Sequence, residues 1–269
     1  KQWGRYTFLG YDPQLEVTCT DGKMTLSGRS HLTLPVQHPK TVLRQILADN
    51  KSPRLDYLPS FTGGLVGYFA YDYFKYAEPT LRLDARDTEN FKDVDLMLFD
   101  KVIAFDNYRQ KIVLIINIKL ADLETEYNRA LLELATMKKL LLEGTPARDA
   151  GGRMTTPPRE LFSREEYCDM VQKAQAHIYN GDIFQVVLSN RLTAGFSGSL
   201  FNLYRVLRTI NPSPYMFYFA SDDLELAGAS PETLVKLADG VLHTFPLAGT
   251  RPRGKDDAED HRLEQELLT

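Results

Sequence analysis

Gly181-Asp182-Ile183-Phe184-Gln185-Val186-Val187-Leu188-Ser189 reads as a helix stop followed by a buried strand. The stretch it opens, to Gly254, decides the fold. Strands are expected over Phe184–Arg191, Tyr215–Ala220, Leu224–Gly228, Thr233–Leu237 and Val241–Phe245, with a helix over Ser199–Thr209. Short polar loops follow these apolar runs: Asn211-Pro212-Ser213-Pro214, Ser230-Pro231-Glu232 and Pro246 to Gly254. Polar groups at strand ends on a rigid scaffold are how a site for a small anionic substrate is commonly built.

Outward from this stretch, Ser163-x-x-Glu166 is a capping box. It starts a helix whose Tyr167, Met170, Val171, Ala174 and Ile178 share one face, and Asn180-Gly181 stops it. Residues 145–158 hold Gly, Pro, Thr and Arg without periodicity and read as a linker. Before it, Leu123–Leu142 predicts a helix with Leu123, Tyr127, Leu131, Leu134 and Leu141 on its apolar stripe. Asp95–Asp106 and Lys111–Ile118 predict a hairpin, as do Leu15–Thr20 and Lys23–Ser27 around Asp21-Gly22. The glycines of Phe61-Thr62-Gly63-Gly64-Leu65-Val66-Gly67-Tyr68 lack the Lys-Ser/Thr of a phosphate loop. They predict a strand approached closely by another backbone. Hairpins interspersed with helices, without strict alternation, give an α+β class: largely antiparallel sheets packed together with helices outside. The expected division is 1–144, a linker, and 159–269.

The 269 residues carry a net charge of -4, which gives no sign of nucleic-acid binding. No apolar run approaches the ~18 residues of a membrane span. Cys19 and Cys168 form no metal spacing and suit a reducing cytoplasm, with one disulfide left open. His177 has no second ligand at metal spacing. The chain starts at Lys1 already close to a strand pattern and reaches Thr269 within a helical one, so a piece of a longer protein is expected. Glu232 reads as a general acid or as a plain turn carboxylate. Arg251-Pro252-Arg253 reads as a stiff basic turn suited to a carboxylate or as a solvated loop.

Four motifs in order carry a resemblance: Asp182–Ser189, Asn211–Met216, Ala229–Glu232 and Pro246–Gly254. Together they resemble the chorismate-utilising enzymes, and within them the anthranilate synthase large subunits (component I). The resemblance extends over the chain, including Arg5–Gly10 and Phe61–Tyr68. It implies conversion of chorismate and ammonia to anthranilate and pyruvate, with a glutamine amidotransferase subunit as partner and tryptophan as feedback inhibitor. Homo- and hetero-oligomers both stay open. Relatives that use water as nucleophile carry Lys where Gln185 stands; an amide is no base at neutral pH, so Gln185 favours ammonia. Many aminodeoxychorismate synthases carry a nucleophilic Lys where this chain has Ala248. The alternatives are aminodeoxychorismate synthase and a module that only binds tryptophan. The resemblance further implies Glu232 as the acid for the departing ring hydroxyl, and Ala248, Gly249 and Thr250 in the chorismate-binding loop. It implies Asn211, Pro212, Pro214, Tyr215, Met216, Phe217 and Gly228 in the tryptophan pocket. Magnesium is implied as cofactor, with its ligands expected beyond Thr269.

Overall fold

The computed structural model describes residues 4–81, 87–146, 151–247 and 249–268, in two compact units divided between Pro146 and Ala147. The class is α+β, and every strand pairing is antiparallel.

The first unit contains β1 (Tyr6–Leu9), β2 (Leu15–Thr20), β3 (Lys23–Ser27), β4 (His31–Pro35), α1 (Pro39–Asp49) and β5 (Gly64–Phe69). It continues through β6 (Val94–Phe99), β7 (Lys101–Asp106), β8 (Lys111–Ile116) and α2 (Leu123–Glu143). A five-stranded sheet has the order β4-β3-β2-β6-β5, and a three-stranded one the order β1-β7-β8. Asp21 and Gly22 both take positive φ, 47° and 73°, as a tight two-residue hairpin between twisted strands requires. The expected single strand Asp95–Asp106 is two strands that part at Asp100. Its two halves serve different sheets, which is why this apolar run is buried along nearly its whole length. The core lies where Leu43 and Ile46 of α1 meet Val17, Cys19, Met24, Val94, Leu96 and Leu98 of the sheet. Gly67 fulfils the close-approach expectation: a Cβ there would lie 2.0 Å from the Asp95 carbonyl oxygen.

Polar ties lock this unit. The Tyr76 hydroxyl donates to Asp93 Oδ2 at 2.7 Å and accepts from the Gly22 N–H at 2.7 Å. Burial, with the bond to Asp93 adding to it, pushes this phenol far above its ordinary range. Helix α2 departs from the expected stripe: Ala130 and Met137 are buried, while Leu123, Tyr127, Leu131 and Leu141 are exposed and Leu134 is half-buried. A charge sets this rotation. Lys101 Nζ is almost enclosed and bonds Glu133 of α2 at 3.0 Å and Asp12 at 2.8 Å. A buried ammonium needs such partners, and they turn Glu133 inward.

The second unit contains β9 (Gly152–Met154), β10 (Arg159–Glu160), α3 (Arg164–Tyr179), β11 (Leu192–Thr193), β12 (Phe196–Gly198) and α4 (Phe201–Ile210). Then follow β13 (Tyr215–Ala220), β14 (Glu225–Ser230), β15 (Lys236–Ala238), β16 (Val241–His243) and α5 (Asp257–Glu266). Its strands form two-stranded pairs only: β9 with β12, β10 with β11, β13 with β14 and β15 with β16. Part of the stretch read as linker is thus β9, because Phe196–Gly198 supplies it with a ladder partner. The capping box is present, with Ser163 N–H donating to Glu166 at 2.8 Å. The expected α3 face holds for Tyr167, Met170, Val171 and Ala174, which are half-buried, but Ile178 is exposed.

The expected strand Phe184–Arg191 is not formed. A strand needs a neighbour for its backbone groups, and among the described residues no ladder runs along 184–190; at the end of the stretch the Arg191 carbonyl accepts the Leu161 N–H at 2.8 Å. Side chains also pin the stretch: Tyr167 donates to the Leu188 carbonyl, and the Asn190 amide bonds both backbone groups of Phe162. Pairing of β14 extends two residues past the expected end, to Ser230, and the following Pro231 has no N–H to continue it. The last expected strands are shorter, with β15 starting at Lys236 and β16 ending at His243.

Both cysteines are free thiols, so the disulfide alternative falls away. Among the described residues no helix is long and apolar enough to cross a membrane.

Candidate active site

The hairpin β13–β14 brings most of the expected site residues together. Its register pairs Tyr215 with Ser230, Met216 with Ala229 and Phe217 with Gly228. The Asn211–Pro214 loop enters the same end of the hairpin from which Pro231-Glu232 leaves. The Phe217 ring lies over Gly228, where any Cβ would come within 2.3 Å of it. A side chain at Gly228 would therefore displace the ring.

The turn after β14 is held by its own hydroxyls. The Glu232 N–H donates to Ser230 Oγ at 3.3 Å, while the Glu232 side chain stays exposed. The next residue, Thr233, is only 9% exposed, and its hydroxyl meets the Tyr215 hydroxyl at 2.7 Å. A carboxyl on a turn anchored at Ser230 and Thr233 is presented from a defined place, and in its protonated form it could act as an acid there.

The basic loop is organised by α5. Asp260 accepts the Gly254 N–H at 2.8 Å and the Arg253 guanidinium at 2.6 Å. These donors, the Gly254 N–H foremost, hold the Asp260 carboxyl below the usual range. Arg251 reaches Glu266 of the same helix at 3.4 Å. The arginines read as suited to a substrate carboxylate are thus already paired with acids of α5. Gly249 and Thr250 are exposed at the start of this loop, and Ala248 lies outside the described residues. Gln185 is exposed on the unpaired stretch before β11. Among the described residues, no hydrogen bond or ion pair joins Gln185, Gly249 or Thr250 to Glu232. The expected residues thus sit on separate segments of the second unit: the β13–β14 hairpin, the 184–191 stretch and the loop before α5.

A depression of about 420 Å³ lies at the other end of the same hairpin, lined by Phe196, Leu200, Asp222, Asp223 and Glu225. Its carboxylates would repel an anion. Glu225 is engaged already, accepting the Leu200 N–H at 2.6 Å at the start of α4. His177 bonds Asp182 at 2.8 Å and is exposed. No three His, Cys, Asp or Glu side chains converge as metal ligands among the described residues. Sequence reasoning missed Thr233 and Asp260. Thr233 carries no chemistry of its own to mark it, whereas an acidic helix start directly after two arginines was a usable sign of Asp260.

Comparison with known proteins follows this geometry. A family described as chorismate binding enzyme matches residues 1–269. The chain is 36% identical over 279 residues to anthranilate synthase component 1 of Acetivibrio thermocellus, covering 100% of this chain and 56% of that protein. It is 38% identical over 275 residues to anthranilate synthase component 1 of Aquifex aeolicus, covering 100% of this chain and 55% of that one. The crystal structure of anthranilate synthase component I from Streptococcus pneumoniae superposes with a TM-score of 0.77 at 27% identity, over 99% of this chain and 57% of that chain. The chain thus spans a little over half the length of these relatives.

Proposed function

The chain belongs to the chorismate binding enzyme family, and from that premise we propose that it is part of an anthranilate synthase large subunit. In this reading the full protein joins ammonia to chorismate and releases water, pyruvate and anthranilate. The observation that carries it is Glu232, exposed at the end of the β13–β14 hairpin on a turn anchored through Ser230 and Thr233. A carboxylic acid held there protonates the ring hydroxyl as it departs as water. Ammonia forms the new C–N bond at the carbon beside the ring carboxylate. Loss of a ring proton and cleavage of the enolpyruvyl C–O bond then give pyruvate and the aromatic amine.

Gln185 supports ammonia over water, since an amide orients a nucleophile by hydrogen bonds but takes no proton. Ala248 supports anthranilate over aminodeoxychorismate, because it offers no nucleophile. Ammonia in this reading comes from a glutamine amidotransferase subunit. Tryptophan acts as feedback inhibitor at Asn211, Pro212, Pro214, Tyr215, Met216, Phe217 and Gly228, a reading supported by the register that sets Met216 and Phe217 across from Ala229 and Gly228. The described residues offer no ligand set for magnesium, and no step here runs through it.

Glu232→Gln in the full-length protein tests the acid. Turnover of chorismate with saturating ammonium salt should fall about 10²-fold or more, the scale of a positioned general acid, with KM little changed. Chromatography of the wild-type product separates anthranilate from aminodeoxychorismate. Near-normal turnover in the variant removes the assignment of Glu232.

A further inference from the structure

We infer that Tyr215 and Thr233 form a positioning pair that sets where Glu232 presents its carboxyl, an inference that rests on the role proposed for Glu232. Thr233 is the one buried residue of the second unit among those described. A hydroxyl withdrawn from water must find a partner inside the protein. Its partner is the Tyr215 hydroxyl, 2.7 Å away. Tyr215 itself sits directly across the ladder from Ser230, and Ser230 Oγ accepts the Glu232 N–H. Glu232 therefore leaves the hairpin between two fixed points, Ser230 before it and Thr233 after it. Pro214 and Pro231, immediately before Tyr215 and Glu232, remove backbone freedom on both sides.

This gives Tyr215 a task distinct from lining a pocket for an indole ring. Its phenol oxygen acts on the reaction through Thr233, and neither hydroxyl need touch substrate. Removing either hydroxyl takes this bond away, leaving Thr233 buried without it or Tyr215 without its hold on Thr233, and the turn can settle elsewhere. Displacement of a reacting group by about 1 Å lowers turnover by as much as ~10²-fold.

The experiment uses the full-length protein and steady-state kinetics with chorismate and ammonium salt. Tyr215→Phe and Thr233→Val each should lower kcat about tenfold with KM within about twofold, as expected for a misplaced acid rather than a lost binding contact. Thr233→Ser keeps a hydroxyl and should restore kcat to within about twofold of the parent. The double variant Tyr215→Phe/Thr233→Val should be no slower than either single one, because both remove the same bond. Unchanged kcat in the single variants, or losses that multiply in the double, overturns the pairing. Glu232→Gln in the same assay separates the two ideas: if it collapses turnover while Tyr215→Phe does not, only the positioning inference fails. If Glu232→Gln is itself active, the assignment beneath it fails.

Discussion

In the first unit, β1 pairs with β7 and β2 with β6, segments far apart in sequence, and α1 closes one face of the larger sheet. In the second, the longest pairing is a local hairpin, β13 with β14, and the rest are short two-stranded ladders. The buried hydrophobic residues follow the same divide: among those described, all from Val17 to Met137 lie in the first unit. The second has comparably apolar runs, yet Phe184 is 100% exposed and Val187, Ile210, Leu234 and Leu242 are largely so. The contrast shows that apolar pattern alone does not make a core. Burial comes when distant strands join into sheets of three or more that a helix can cover, and among the described residues that happens before residue 147. The motifs that carry the proposed chemistry lie in the unit with the least burial.

The sharpest way to break this contrast is to delete side chains from each unit. Met24 is 0% exposed in the sheet core, and Met24→Ala should lower unfolding free energy by ~2–5 kcal/mol in urea titrations followed by circular dichroism. Leu203 of α4 is 47% exposed, and Leu203→Ala in this chain should change it by less than ~1 kcal/mol. Equal losses would mean that something covers α4 in solution, and the contrast would then belong to this chain's isolation and not to its sequence.

A second probe uses acid. Asp106 accepts the Arg5 guanidinium at 2.8 Å and the N–H groups of Tyr108 and Arg109, which joins β1 to the β7–β8 turn. Arg5 foremost holds this carboxyl well below the usual carboxylate range. The folded pKa is depressed, so the stabilisation is fully present above the unfolded value of about 3.9 and is lost as pH falls through the folded one. The Tm of the first unit should therefore drop below about pH 4. Asp106→Asn should lower Tm at neutral pH and flatten the acid limb. An acid limb identical in variant and parent would show that Asp106 is not what ties β1 down.

Sequence reading was strongest where the signal is local. The Asp21-Gly22 hairpin, the Ser163 capping box and the β13 strand rest on turn chemistry, capping and alternation within a few residues. It faltered where the answer depends on a distant partner. Phe184–Arg191 has a strand's composition, but among the described residues no ladder runs along 184–190. The face of α2 was set by the charge on Lys101, more than thirty residues before Glu133 is reached, and not by the leucine stripe. The site divided in the same manner. The hairpin that unites Tyr215 to Phe217 with Gly228 to Glu232 is local, and its two strands were legible as separate apolar runs. Gln185 and the Gly249–Thr250 loop lie on other segments, and no local turn, cap or alternation signal in the sequence says where they sit relative to that hairpin.

The smallest expected effect concerns Asp260, and it tests whether the second unit is held as lightly as its burial implies. Its carboxylate takes the Gly254 N–H on Oδ1 and Arg253 on Oδ2. Asparagine keeps an acceptor for the N–H and gives up the charge. Arg253 is 91% exposed on its side chain, so water and salt screen the lost attraction. Asp260→Asn in the full-length protein should therefore raise KM for chorismate by no more than about fivefold, the upper worth of an exposed ion pair. Raising the parent to roughly 0.5 M salt should reproduce most of that change, since such a pair is screened over a few ångströms. Asp260→Ala also removes the acceptor for the Gly254 N–H and should weaken binding further. A hundredfold rise in KM from the Asn variant alone would contradict the comparison. It would mean that this loop depends on a desolvated charge pair, and that the second unit in the full protein is as tightly built around its site as the first is around its core.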